Sequence, residues 1–266
     1  MPSVNTGNKK IKSIKTFKDH VTIYFGKGEP LRISKEAYVS SYLYVGKSLN
    51  NKDIAKLEEI TAMTTLLNYA LSIVSKKHIS EKEMLEKLLK KEDNFTAAKN
   101  VIAKLKENDL LNDKAFMEDL IIWDNERCFG ESKIVKHLKD KGIPEALIKK
   151  ASFPVSLEKK KAKSLLDKLD KKYDRYAYIS KKKHVYQALI SQGYNIEVAK
   201  EVSELVKRGT DKQEISLLKK DYEKALKRYE RKYEGYQLKQ KLYAYLVSKG
   251  YGYKDIKKVL DMEDYE

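Results

Sequence analysis

The sequence contains few of the residues that interrupt helices or crosslink chains. Its 266 residues include one cysteine, four prolines and eleven glycines. The single Cys128 excludes an internal disulfide, and the shortage of turn formers argues against a sandwich, a barrel or a series of β-hairpins. The longest charge-free stretch, 60–75, is too short for a comfortable membrane span, and the first residues lack the apolar segment of a secretory signal. We therefore expect a mainly helical protein of the cytoplasm, with no membrane segment.

Charge is the most pronounced property of the sequence. Charged residues make up 36% and hydrophobic residues 41% of the chain, which allows both a core and a densely charged surface. Lysine and arginine number 56 against 39 acidic residues, so the formal net charge is +17, and both halves of the chain share the excess. This balance indicates a polyanionic partner: nucleic acid, a nucleoprotein or an acidic protein face.

The N-terminal region differs in pattern from the rest of the chain. Apolar residues alternate with polar ones over 21–25, which predicts a small β-hairpin, with residues 11–16 as a further short strand. Ser34 is placed to cap a helix that we expect to run to about Gly46. The hairpin turn is assigned to Gly26, Lys27 and Gly28.

After residue 50 a unit repeats at intervals of about 50 to 57 residues. Each unit is centred on a glycine, with apolar residues eight and four positions before it and one and six positions after it. These positions are Ile134, Leu138, Ile143 and Ile148 around Gly142; Val185, Leu189, Tyr194 and Ala199 around Gly193; and Leu242, Leu246, Tyr251 and Ile256 around Gly250. A weaker copy around Glu92 has Met84, Leu88 and Ala98 but no glycine. We expect each glycine to end a middle helix in a left-handed cap.

The repeats predict the fold class and the domains. We expect tandem three-helix repeats that form an elongated, curved array, preceded by the small β-hairpin. The predicted segments are 1–60 for the hairpin and a helix, then 61–110, 111–153, 154–209 and 210–266 for four three-helix repeats. The first helices are expected to bury seams containing Phe116, Leu120 and Trp123; Leu165, Leu166, Leu169, Tyr173 and Tyr176; and Leu218, Tyr222, Ala225, Tyr229 and Tyr236.

No motif in the chain indicates catalysis, a metal or a cofactor. The four histidines, His20, His78, His137 and His184, lie far apart in sequence, and Cys128 has no partner thiol. The sequence Gly46-Lys47-Ser48 imitates the end of a phosphate-binding loop but lacks the preceding glycine. We therefore predict a protein that is not an enzyme and uses no cofactor or metal.

Recognition remains as the function class. Basic residues at 171–183 are interleaved with Tyr173, Tyr176 and Tyr178, a composition that can contact phosphates and stack on bases. The same tyrosines also continue an apolar seam, so a core position is the competing interpretation. A second basic cluster at 224–232 is diluted by glutamates.

The second repeat resembles the RecX family, regulators of the bacterial recombinase RecA. The resemblance lies in a double leucine, an acidic turn, an Ala/Phe helix start, an aromatic–glycine step and a closing Lys-Gly-hydrophobic sequence. Here these are Leu110-Leu111-Asn112-Asp113-Lys114-Ala115-Phe116, Phe129-Gly130, and Ile134, Leu138 and Lys141-Gly142-Ile143. The N-terminal hairpin and additional repeats are similar to the long Gram-positive type, and the resemblance covers about 11–260.

The resemblance implies binding and not catalysis. RecX proteins associate with RecA, lie along the groove of the RecA–DNA filament and restrain its ATP hydrolysis and strand exchange, in recombination, DNA repair and the SOS response. A monomer that binds the RecA–ssDNA filament and has weak affinity for DNA alone is the expectation. Two alternatives remain open: a helical-repeat protein that binds DNA directly without a recombinase, and a scaffold for another acidic protein.

The chain departs from the family where several arginines often precede the aromatic–glycine step. Arg127 stands there alone, after Trp123, Asp124 and Glu126, and Glu131 replaces a frequent proline. This shifts the expected anionic contact toward the third and fourth repeats. The predicted contact set is Arg127, Lys133, Lys136, Lys172, Arg175, Lys181, Lys182, Lys183, Lys224, Lys227, Arg228, Arg231 and Lys232.

Overall fold

The structure is a computed structural model in which residues 8–26 and 28–262 are described. The chain divides into two compact units. The first unit holds the described residues up to Glu118 together with Lys141–Pro144, and the second holds Asp119–Asp140 and the described residues from Glu145 onward. Helices dominate both units, which confirms the predicted mainly α class.

A small antiparallel sheet begins the first unit, as the alternating pattern predicts. Its strands are β1 (Lys9–Thr16), β2 (Val21–Phe25), β3 (Leu31–Ile33) and β4 (Ser48–Leu49), in the order β3-β2-β1-β4. Ile11, Val21, Ile23 and Phe25 are buried in the core of this region. Lys27, the central residue of the predicted turn, lies outside the described residues.

Helix α1 (Lys35–Ser40) begins where the sequence predicts and ends earlier. The side-chain oxygen of Ser34 accepts a backbone N–H of the first turn, which confirms the cap. The expected continuation to about Gly46 is wrong. The backbone turns at Tyr42 with a φ of 47°, and Gly46 then donates its N–H to the carbonyl oxygen of Ile11 at 2.9 Å. The chain thus joins the sheet as β4 instead of extending the helix.

Twelve further helices follow within the described residues, in four groups of three along the chain. They are α2 (Asn51–Val74), α3 (Glu81–Lys91) and α4 (Phe95–Glu107); α5 (Asp113–Glu126), α6 (Glu131–Asp140) and α7 (Glu145–Ile148); α8 (Val155–Lys172), α9 (Tyr178–Ser191) and α10 (Ile196–Glu204); and α11 (Asp211–Tyr229), α12 (Gly235–Ser248) and α13 (Tyr253–Met262). The predicted boundary after residue 60 falls inside α2, whereas those after 110, 153 and 209 fall between helices. The division into four three-helix domains stays a prediction.

The glycine-centred pattern locates the ends of three middle helices. α6, α9 and α12 each end two residues before a glycine, and Gly142, Gly193 and Gly250 have φ values of 80°, 89° and 91°. These are the predicted left-handed caps. All the apolar residues placed around the three glycines are buried, as are Met84, Leu88 and Ala98 in the weaker copy. In that copy α3 ends at an extended Glu92.

Two residues of the predicted seams do not face the core. Trp123 is 53% exposed, because α5 turns Leu120 and the carboxylate of Asp124 inward instead. Tyr236 is 76% exposed, because α11 ends at Tyr229 and the helical period does not continue into α12. The remaining seam residues are buried or half-buried.

A contact of one kind is repeated between successive groups of helices. In each contact, a serine hydroxyl or a backbone N–H at the start of one middle helix donates a hydrogen bond. The acceptor is the carbonyl oxygen of the residue just before a cap glycine. The pairs are Ser80 with Lys141 at 2.7 Å, Gly130 with Gln192 at 2.9 Å, and Ser180 with Lys249 at 2.5 Å. A Cβ at the adjacent glycine would lie 2.5–2.8 Å from atoms of Lys82, Lys133 or Ser180 respectively. We call these contacts the glycine joints.

The starts of the same middle helices also donate a backbone hydrogen bond to a carboxylate. The first backbone N–H of each of these middle helices has no partner within its own helix and donates instead to an acid in the first turn of a following long helix. The pairs are Glu81 with Asp113 at 2.8 Å, Glu131 with Glu158 at 2.7 Å, and Tyr178 with Glu214 at 3.5 Å. We call these the carboxylate joints. Both joints thus recur at corresponding positions of the repeated unit.

The first carboxylate joint predicts a pH dependence of stability. Burial raises the pKa of the Asp113 carboxyl, while the backbone N–H of Glu81 acts in the opposite direction. When folding raises the pKa of a carboxyl, the folded protein is stabilised by the protonated form of that group. This stabilisation is fully present below the ordinary pKa and is lost as the pH rises through the pKa of the folded protein. Asp113→Asn keeps an oxygen acceptor and removes this titration. We therefore expect wild type to gain stability relative to Asp113→Asn between pH 7 and pH ~4, measured by urea unfolding; a pH-independent difference would contradict this.

Candidate partner-binding surface

Two cations and two aromatic rings meet at the end of α5. The guanidinium carbon of Arg127 lies 4.6 Å from the ring centre of Trp123 and 4.7 Å from that of Phe129. The ammonium nitrogen of Lys133 lies 3.7 Å from the Phe129 ring centre. Phe129 is buried, whereas Trp123 and Arg127 are exposed. This Arg127 cluster presents residue types that are enriched in protein interfaces.

The turn that builds the Arg127 cluster is fixed by buried polar contacts. Cys128 adopts a left-handed conformation with a φ of 56°, and the N–H of Phe129 donates to the carbonyl oxygen of Asp124, as in a helix-ending Schellman motif. The Tyr194 hydroxyl donates to the Cys128 carbonyl oxygen at 2.7 Å, and the Lys161 ammonium donates to that of Phe129 at 2.6 Å. Burial lowers the pKa of Lys161. The turn is therefore held rigidly in place.

A second cluster combines tyrosines, a histidine and two cations. The His184 ring lies 5.3 Å from Tyr173 and 4.3 Å from Tyr176, centre to centre. Lys172 approaches the Tyr173 ring at 5.1 Å, and the guanidinium of Arg175 approaches the Tyr176 ring at 5.2 Å. The tyrosines are half-buried and the two cations are exposed. The core interpretation therefore holds in part, because Tyr173 of this Tyr176 cluster packs against the core, whereas contact with nucleic acid stays a prediction.

The structure removes Lys181 from the exposed contact set. Its side chain is only 5% exposed, and its ammonium lies 3.0 Å from a carboxylate oxygen of Asp170 and 3.1 Å from one of Asp174. Burial lowers the pKa of Lys181, but the hydrogen bonds to these carboxylates outweigh it and raise the net pKa. Lys182 forms an ion pair with Glu204. Of the three consecutive lysines, Lys183 alone is exposed.

This difference between neighbouring lysines is testable. Lys181→Ala is expected to lower the free energy of unfolding by about 1–3 kcal/mol, because Asp170 loses a partner in a partly buried position. Lys183→Ala, in the same helix, is expected to change it by about 0.5 kcal/mol or less. Chemical denaturation followed by circular dichroism measures both values. Equal effects of the two substitutions would show that Lys181 does not act as a buried partner.

The third group of cations lies on α11 and just after it. Lys224, Lys227 and Arg228 are exposed, whereas Leu218 and Tyr222 of the same helix are buried. Residues spaced three and four apart share a helix face, so the three cations form one surface on the side away from the core. Arg231 and Lys232, also exposed, follow the end of the helix.

The structure thus brings most of the predicted contact residues together in local groups, with Lys136 in none of them. Lys133 and Lys182 are half-buried, Lys181 is buried, and the rest are exposed: Arg127, Lys136, Lys172, Arg175, Lys183, Lys224, Lys227, Arg228, Arg231 and Lys232. Sequence reasoning missed the surface roles of Trp123 and His184. The four-residue interval from Trp123 to Arg127 was a usable signal, since such pairs are neighbours on a helix.

The described residues offer no arrangement typical of a metal site or a membrane span. No group of three or more histidine, cysteine, aspartate or glutamate side chains in 8–26 and 28–262 is placed to hold a metal ion. In the same part of the chain no helix has the length and apolar content to cross a bilayer.

Comparisons with known proteins add independent evidence. Residues 211–260 match the family model described as "RecX, third three-helix domain". The regulatory protein RecX of Lactococcus lactis subsp. lactis (strain IL1403) is 29% identical over 245 residues, which cover 89% of this chain and 90% of the relative. The regulatory protein RecX of Streptococcus uberis is 25% identical over 253 residues, covering 94% and 98%.

A solved structure shows the same fold. The crystal structure of a regulatory protein RecX superimposes with a TM-score of 0.61 at 22% sequence identity, covering 74% of this chain and 99% of that one. At this identity the likeness concerns the fold alone. The sequence similarity along most of the chain is therefore to proteins named regulatory protein RecX, and the fold is that of a solved RecX structure.

Proposed function

We propose that this chain, which is similar to proteins named regulatory protein RecX along most of its length, belongs to the RecX family and is a non-enzymatic regulator of the recombinase RecA. It binds RecA and the RecA–ssDNA filament and restrains ATP hydrolysis and strand exchange, in recombination, DNA repair and the SOS response. The observation that carries the proposal is the similarity to proteins named regulatory protein RecX over 89% of this chain and 90% of the relative. The proposal implies a cytoplasmic protein that acts as a monomer.

The exposed cations support this proposal physically. A filament of protein on DNA is a polyanionic body, and a chain of net charge +17 is attracted to it over a distance set by the ionic strength. Arg127 lies near the Trp123 and Phe129 rings and Arg175 near the Tyr176 ring, and such contacts restrict the two side chains before a partner binds. Ordered side chains lose less entropy on binding than free ones.

The direct test is the ATP hydrolysis of RecA on single-stranded DNA. We expect this protein, added at substoichiometric ratios to preformed filaments, to lower the steady-state rate of hydrolysis. Strand exchange between homologous DNAs is expected to slow in the same mixtures. A rate that does not change at any ratio would count against the proposal.

The same cations support one alternative function, direct binding to DNA without a recombinase. Such a protein would bind naked DNA tightly, and its affinity would fall with salt by roughly one logarithmic unit of slope per phosphate contact. A regulator that acts on the filament has weak affinity for naked DNA. If it binds neither DNA nor RecA, a scaffold for another acidic protein becomes the better hypothesis.

A further inference from the structure

The first unit contains a cleft lined by none of the cations described above. It has a volume of about 550 Å³ and is bordered on one side by the β1–β2 turn, β3 and the start of α1, and on the other by α2. Its cationic lining consists of Lys18, Arg32 and Lys35, with His20 beside them. Volumes of this size are typical of sites for small ligands.

The cationic wall is organised around Arg32. One guanidinium nitrogen of Arg32 lies 3.1 Å from the Nδ1 atom of His20, and this is the one hydrogen bond of the Arg32 side chain found within the described residues. An arginine has five N–H donors in a planar fork, so Arg32 has further donors for two oxygens of a phosphate. Lys18 and Lys35 add point charges on the same side.

The other chemistry of the cleft fits the remaining parts of a nucleotide. The ring of His20, which lines the cleft, stacks on the Phe17 ring at 4.6 Å between centres with an angle of 8°, and Phe17 is 45% exposed, so an aromatic surface for a base lies next to the cleft. The carboxylates of Asp19 and Glu36 also line the cleft. A bare anion would be repelled by them, whereas ribose hydroxyls donate hydrogen bonds to carboxylates.

The opposite wall is polar and uncharged. Thr61, Thr64 and Thr65 of α2 donate their hydroxyl hydrogens to backbone carbonyl oxygens one turn earlier. The Thr61 oxygen accepts the backbone N–H of Ser34, so the oxygens of Thr64 and Thr65 are the ones left as acceptors for a ligand. Asn68 follows on the same helix and adds both a donor and an acceptor. From these contacts we propose that the cleft binds a phosphorylated ribonucleoside, with the phosphate at Arg32 and the base against the stacked rings of His20 and Phe17.

The ligand has two possible sources, a free ribonucleotide or one unit of an RNA strand, and titration calorimetry on the full chain distinguishes them. ADP, dADP, inorganic phosphate and a short single-stranded RNA are the probes. We expect ADP or the RNA to bind more tightly than phosphate, and the ribose form more tightly than dADP. Tighter binding of RNA than of ADP identifies a strand as the source, and the reverse order identifies a free nucleotide. If inorganic phosphate binds as tightly as ADP and as tightly as the RNA, the proposal is overturned.

Two variants locate the site. Arg32→Gln is expected to weaken binding by about tenfold or more, since it removes charge-assisted hydrogen bonds. Lys10→Gln is the matched control, because Lys10 is an exposed cation of the same sheet that does not line the cleft. Equal weakening by both variants, or no binding by wild type at millimolar probe, would overturn the proposal. The titrations contain no RecA, so their outcome is separate from that of the proposed regulation.

Discussion

Gly130→Ala is expected to lower the free energy of unfolding by about 3 kcal/mol or more. A Cβ at this position would lie 2.3 Å from the carbonyl carbon of Gly193 and 2.3 Å from the nitrogen of Tyr194. Both are backbone atoms, so relief requires the two chain segments to separate. Separation breaks the hydrogen bonds from Gly130 to Gln192 and from Ser132 to Gly193, at 2.9 and 3.1 Å.

Gly252→Ala is the matched control for this prediction. Gly252, like Gly130, precedes a helix and accepts the backbone N–H groups three and four residues later. A Cβ at Gly252 would meet its nearest atom, a carboxylate oxygen of Asp255, at an ordinary 3.6 Å. We expect a loss of at most about 1 kcal/mol.

Urea denaturation followed by circular dichroism measures both glycine variants. If the glycine joint at Gly130 stabilises the fold, Gly130→Ala lowers the free energy of unfolding much more than Gly252→Ala does. If the two substitutions cost the same, the close approach between the helix start and the cap turn does not stabilise the fold.

The second large effect concerns partner binding. Reversal of Lys224, Lys227 and Arg228 to glutamate is expected to weaken association with RecA-coated single-stranded DNA by about 100-fold, because three attractive charges become repulsive on one helix face. Fluorescence anisotropy of labelled DNA measures the affinity. Lys227 and Arg228 also lie in the last turn of α11, where positive charge favours the negative end of the helix dipole. We therefore expect the triple reversal to lower the free energy of unfolding by about 1–2 kcal/mol as well.

A control variant separates specific contact from net charge. Lys10, Lys52 and Lys56 are exposed cations of the first unit outside the predicted contact set, and their reversal changes the net charge equally. We expect this variant to lose less than about tenfold in affinity, through long-range attraction alone. Equal losses in the two triple variants would contradict a contact at α11.

Much of the fold could be predicted because it depends on local sequence. A helix that ends in a left-handed turn favours glycine, so Gly142, Gly193 and Gly250 mark the caps without any tertiary information. Apolar residues at fixed distances from each cap face the core because the helical period is constant. The same reasoning fails at Tyr236, where α11 has already ended and the period starts again.

The rest depends on which segments meet in space. The burial of Asp124 follows from its neighbour His137, whose Nδ1 atom lies 2.8 Å from the carboxylate, and no periodicity shows such a partner. Lys181 is buried because Asp170 and Asp174 are brought to it by another part of the chain. The short strand β4 forms only because β1 is available as a partner. Charge in a sequence therefore identifies candidates for a surface, and the structure decides which of them are exposed.

The central claim is that this protein acts on the RecA filament and not on DNA alone. Its affinity for RecA-coated single-stranded DNA, compared with that for the same DNA without RecA at two salt concentrations, tests this most directly. The account predicts a marked preference for the coated DNA at both salt concentrations. Equal or tighter binding to naked DNA, with a steep loss of affinity on adding salt, would contradict it.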